Sequence, residues 1–71
     1  MLPSFISSSS NSVLGLTLNI YLDADFNEYQ IRSTSGVVLF KATSKEVALF
    51  GIETYHAKDY CGLTLTKNDI Q

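Results

Sequence analysis

His56, Asp59 and Cys61 are the side chains of this 71-residue chain whose types and spacing come closest to covalent chemistry. A cysteine attacks as the thiolate, which needs a nearby base to form it and an oxyanion site beside it. His56 falls near the end of a predicted helix and Cys61 opens a predicted strand, so the spacing permits contact without dictating it. No glycine-rich elbow accompanies them. Cysteine is among the most buried residue types and usually serves as a small hydrophobe, so Cys61 is read as packing. One His with one Cys also falls short of the four ligands of a structural zinc site. His56 is expected as a solvated residue at a helix C-terminus. A thiol-dependent enzyme or a metal-binding domain using His56, Cys61 and Asp59 is the alternative, and a thiol-reactivity assay at neutral pH separates it from a buried, inert Cys61.

Asp23-Ala24-Asp25-Phe26-Asn27-Glu28 begins like a calcium loop, with oxygen ligands at positions 1, 3 and 5. Such a loop requires Gly at position 6 and Glu at position 12, and this chain places Glu28 and Thr34 there. The stretch reads instead as a hairpin connection rich in turn-forming Asp and Asn. Gly15, Gly36, Gly51 and Gly62 are too far apart for a phosphate-cradling loop. Tyr21, Tyr29, Tyr55 and Tyr60 could stack on bases, but no positive charge is interleaved with them, which favours core packing with hydroxyls at the rim. No catalytic, cofactor-binding or metal-binding residue is therefore assigned, and no cofactor is expected.

The chain is long enough for one domain. A hydrophobic fraction of 45% is too high for a disordered polymer. A chain of this size buries only about 60% of the surface its unfolded form exposes, so its stability is modest. One cysteine cannot close an intrachain disulfide. Self-association or a partner is the natural remedy for so small a core. The net charge of −2 and the thin scatter of Arg32, Lys41, Lys45, Lys58 and Lys67 argue against direct nucleic-acid binding, which uses a basic stripe. Seven acidic residues are too few for a DNA-mimicking polyanion. No run approaches the roughly 20 apolar residues of a membrane helix. Met1 to Ser12 lacks the basic and apolar regions of a signal peptide, and a cytoplasmic location is the expectation.

The elements that must position these residues begin with Leu14, Leu16, Leu18, Ile20 and Leu22, which alternate without a break. Residues two apart share one face of a strand, so this is a half-buried strand. A second strand over Phe26 to Ser33 sets Tyr29 and Ile31 against Glu28, Gln30 and Arg32. Ser33-Thr34-Ser35-Gly36 turns the chain, with Gly36 able to take a positive φ. A third strand, Val37 to Ala42, is apolar on both faces, which marks it as central or as part of a sticky edge. Thr43-Ser44-Lys45-Glu46 reads as a capping box that opens a helix to about Lys58. Gly51 inside that helix points to a close approach of helix to sheet. Cys61 to Thr66 alternates again as a fourth strand, beside the first or the third, and Lys67 to Gln71 is polar enough to fray.

The expected architecture is α+β: an antiparallel sheet of three to four strands in the order β-β-β-α-β, with one helix packed on one face. Residues 1–12 are expected as a flexible tail and 13–71 as a single small domain. The expected function is non-enzymatic protein–protein interaction, as a homodimer or as an inhibitor or accessory subunit of a larger complex. Small phage or mobile-element inhibitors share this build, by analogy of size alone. Val37, Leu39, Phe50, Phe5 and Ile6 are the expected protein-binding residues, because each is an apolar group with no assigned place in the core.

Overall fold

The two-residue rhythm of Leu16, Leu18, Ile20 and Leu22 builds a strand, Leu16–Asp23, in a computed structural model that describes residues 2–70. Met1 of the expected tail and Gln71 of the expected frayed end lie outside the described residues. Strands β1 (Ser4–Asn11), β2 (Leu16–Asp23), β3 (Glu28–Arg32) and β4 (Val38–Ala42) precede helix α1 (Lys45–Glu53). A short helix α2 (Ala57–Tyr60), strand β5 (Thr64–Leu65) and a 3-10 turn (Lys67–Ile70) follow. The strands form one five-stranded sheet in the order β1-β2-β3-β4-β5. The first four pair antiparallel as a meander, and β5 pairs parallel to β4. The fold is thus α+β, as expected, but the sheet is larger and mixed. A helix between β4 and β5 carries the chain back to the end where β4 began, so the next strand runs in the same direction. β5 lies beside β4, the third strand of the sequence reading, because β1 already occupies the other edge of β2.

The main correction is at the N-terminus, where Ser4–Asn11 forms an edge strand in place of the expected tether. Serine has poor strand propensity, but β1 gains a full antiparallel ladder against β2, from Ser4↔Leu22 to Asn11↔Leu16, with one bulge between Phe5 and Ser7. Tertiary pairing overrides a weak local preference here.

Cross-strand partners share a face, so the register assigns the core in rows. Ile20, Ile31 and Phe40 form one row under the helix; Leu22, Tyr29, Ala42 and Leu65 form the next. Val47, Ala48, Gly51 and Ile52 are buried on α1, which completes the core with Leu18 and Tyr55. Gly51 does sit at a close approach: a Cβ there would lie 2.6 Å from Phe40 Cε2 and 2.8 Å from Leu65 Cδ1. The opposite face is uncovered and polar. Tyr21, Gln30, Lys41 and Thr64 line one row of it, with Phe5 at its end. Arg32 stacks 4.5 Å over the Tyr21 ring and bonds Gln30 Oε1, while Lys41 pairs with Glu28 at 3.6 Å.

Both helix boundaries differ from the sequence reading. The N-cap is Ser44, whose Oγ accepts from the Val47 amide at 3.2 Å. Thr43 is drawn into the sheet instead, its amide donating to the Leu65 carbonyl at 3.0 Å. The third helical residue is then Val47, so no carboxylate reciprocates and the capping box does not form. At the other end α1 stops at Glu53, with Thr54 as C-cap. Tyr55 turns into the core, 9% exposed and stacked on Phe40 at 5.8 Å. The burial of that ring competes with continuation of the helix and wins.

Candidate functional site

Asn11, the last residue of β1, organises one end of the molecule. Its side chain is 2% exposed and its Nδ2 donates to the carbonyls of Ile52 at 2.8 Å and Glu53 at 3.1 Å. Its Oδ1 accepts from the Leu14 amide at 2.8 Å, and its backbone carbonyl from the Gly15 amide. The last carbonyls of a helix lack intrahelical donors; Asn11 supplies one to Glu53 and, beside the Tyr55 amide, one to Ile52, and the same side chain holds the β1–β2 turn in shape. Gly15 closes that turn with φ +68, in the left-handed region that glycine tolerates. The hairpin is thereby pinned against the C-terminus of α1.

The pinned turn presents apolar side chains. Val13 is 87% exposed, Leu14 52% and Leu16 42%. Leu14, Tyr55, His56 and Lys58 line a depression of about 290 Å³ between the turn and the segment joining α1 to α2. Its wall is mostly apolar, with the His56 ring and Lys58 as the polar groups. The meander brings the β3–β4 connection to this same end of the sheet, adding exposed Val37 and Val38. Leu63, also exposed, follows beside β4, its carbonyl accepting from the Lys41 amide. Helix α1 spans only about 13 Å at 1.5 Å per residue, and the start of β2 extends past its cover. Hence Leu16 carries the core's alternation into solvent, beside Leu14 of the turn.

The expected protein-binding residues are not brought together. Val37 is exposed at the apolar end, whereas Phe5 and Ile6 lie in β1, separated from β4 by β2 and β3. The Phe5 ring meets the edge of Tyr21 at 5.7 Å on the uncovered face. Leu39 falls where the β3–β4 register shifts and is half-buried against the core, and Phe50 is half-buried on α1. Asn11, Leu14, Leu16 and Tyr55 escaped the sequence reading as site residues. A serine-rich segment concealed Asn11, while Leu14 and Leu16 were absorbed into the strand pattern.

The stretch His56 to Cys61 does not assemble a nucleophilic site. His56 Nδ1 stands 3.8 Å from Asp59 Oδ2, with both side chains about three-quarters exposed. Cys61 is exposed, contrary to the expected burial, and among the described residues no hydrogen bond joins it to either. Among the described residues no group of three or more His, Cys, Asp or Glu could hold a metal ion. In the calcium-like loop, Asp23 Oδ1 accepts from the Asp25 amide at 3.1 Å and Asn27 takes φ +51, the geometry of an Asx turn. No helix is long and apolar enough to cross a membrane among the described residues.

Comparison with protein-family models, with curated proteins and with solved structures finds no match to this chain.

Proposed function

We propose that this chain is a non-enzymatic protein-binding module, working by contact as an inhibitor, accessory subunit or homodimer. The observation that carries the reading is the apolar end built by Val13, Leu14 and Leu16 around the depression lined by Tyr55, His56 and Lys58. Exposed apolar groups gathered beside a concavity, with a few polar groups at its rim, are the usual anatomy of a recognition surface. A pinned turn is also pre-organised, so little conformational freedom is lost when a partner docks. A partner side chain of aliphatic or aromatic type suits the depression, with Lys58 at its rim to receive an acidic neighbour.

The test is affinity purification from native cells, with the wild-type chain and a Leu14→Asp/Leu16→Asp variant as parallel baits. Circular dichroism establishes that both are folded. The expected result is a protein captured in a fixed ratio by the wild type and reduced at least tenfold with the variant. Equal capture by both baits would remove this end as the binding surface.

A further inference from the structure

β1 and β5 are the two edges of the sheet. Natural sheets guard their edges with short strands, charged side chains, proline or bulges, because an open edge accepts any extended chain. β5 is guarded by brevity, with two residues. β1 is eight residues long and has a paired strand on one side only. Its sequence, Ser-Phe-Ile-Ser-Ser-Ser-Ser-Asn, contains no charge and no proline. The single bulge lies between Phe5 and Ser7, so Ser7 to Asn11 runs as a regular ladder. From length alone this edge is about 27 Å long at 3.4 Å per residue, with a strand on one side only.

We infer that β1 pairs antiparallel with β1 of a second copy of this chain, joining two sheets into one continuous sheet through a two-fold axis. This deepens the protein-binding reading and rests on it. Three features select the second copy. An antiparallel edge is self-complementary under two-fold symmetry, so each contact is made twice. Serine hydroxyls both donate and accept, so serine facing serine is satisfied from either side, whereas a charged partner strand would meet no countercharge on β1. Head-to-tail pairing of β1 with the opposite edge is limited to the two residues of β5, which favours a closed pair over a fibre. An axis at Ser9 also carries Phe5, 56% exposed, and Ile6, 38% exposed, past the end of the other copy's β1 to its β1–β2 turn, where Val13 is 87% exposed.

Ser8 and Ser10 are both exposed and share the uncovered face, opposite Asn19 and Thr17. An axis at Ser9, between them, sets Ser8 of each copy against Ser10 of the other. A Ser8→Lys/Ser10→Lys variant and a Ser8→Glu/Ser10→Glu variant therefore each place like charges across the axis, and mixing them places opposite charges there. Sedimentation velocity at 10–300 µM is expected to give twice the chain mass for wild type, the single-chain mass for each variant, and twice the chain mass for the equimolar mixture. Amide exchange on wild type supplies a check that needs no variant: β1 amides slow at least tenfold between the lowest and highest concentration, and β5 amides do not. A wild-type monomer at 300 µM, variants that still dimerise, or β1 exchange independent of concentration would overturn the pairing. If the pairing is overturned while Leu14-dependent capture of another protein persists, only the identity of the partner at β1 is lost. If capture fails and the pairing holds, the apolar end is lost and self-association remains.

Discussion

Replacing Gly51 with alanine sets helix propensity against packing at one atom. In an exposed helix interior this change stabilises by about 0.8–1.0 kcal/mol, because glycine loses more backbone entropy on folding. Here the added methyl would sit 2.6 Å from Phe40 Cε2, 2.8 Å from Leu65 Cδ1 and 2.9 Å from Phe40 Cζ. Ordinary contact begins at 3.4 Å, so the ring must withdraw by 3.4 − 2.6 = 0.8 Å or the helix must lift. The ring has little room: Tyr55 stacks on it at 5.8 Å, Tyr60 meets it edge-on at 5.4 Å, and Ile31 faces it across the sheet. Overpacking a tight core costs about 1–3 kcal/mol. Subtracting the propensity gain leaves a net loss of about 0–2 kcal/mol for Gly51→Ala, a drop in Tm of up to roughly 16 °C for a domain of this size. Urea and thermal unfolding followed by circular dichroism measure it. The cause is isolated by a double-mutant cycle with Phe40→Leu, which makes room for the methyl. The pair is expected to be less destabilised than the sum of the single changes, by about 0.5–3 kcal/mol of coupling. A Gly51→Ala variant that melts higher than wild type would show that propensity outweighs contact and that the helix does not seat on Phe40.

Asn11→Ala removes three side-chain hydrogen bonds from a buried position and is expected to cost about 2–4 kcal/mol, at roughly 0.5–1.5 kcal/mol per bond. Asn11→Asp sets a carboxylate against the Ile52 and Glu53 carbonyls, so the introduced group is held protonated by the fold. Its raised folded pKa makes its stability contribution fully present at low pH and lost as pH rises through that value, so urea midpoints at pH 4 and pH 7 should fall in that order relative to wild type. Ser44→Ala should cost about 1 kcal/mol as loss of the N-cap bond, whereas Thr43→Ala should change the urea midpoint by less than about half of that. The reverse ranking would return the cap to the position favoured by the sequence motif.

The periodic parts of the chain were legible because each has one physical solution. Leu18 and Ile20 against Asn19 and Tyr21, or Ile31 against Gln30 and Arg32, can bury their apolar groups only as strands. Gly36 occupies its turn with φ +92 and Gly51 its close approach, each where the absence of a side chain is required. What the tertiary structure decided rests on partners distant in sequence. Ser4–Asn11 carries no pattern of its own and is a strand because β2 offers a ladder. The helix starts one residue later than its motif suggests because the Thr43 amide is committed to Leu65, and it ends early because Tyr55 stacks on Phe40. The apolar end follows from the same logic. Leu14 and Leu16 look like core in the sequence; Leu14 falls in the β1–β2 turn instead of the strand, and Leu16 faces solvent because the helix stops at Glu53, where Asn11, more than forty positions away, receives it.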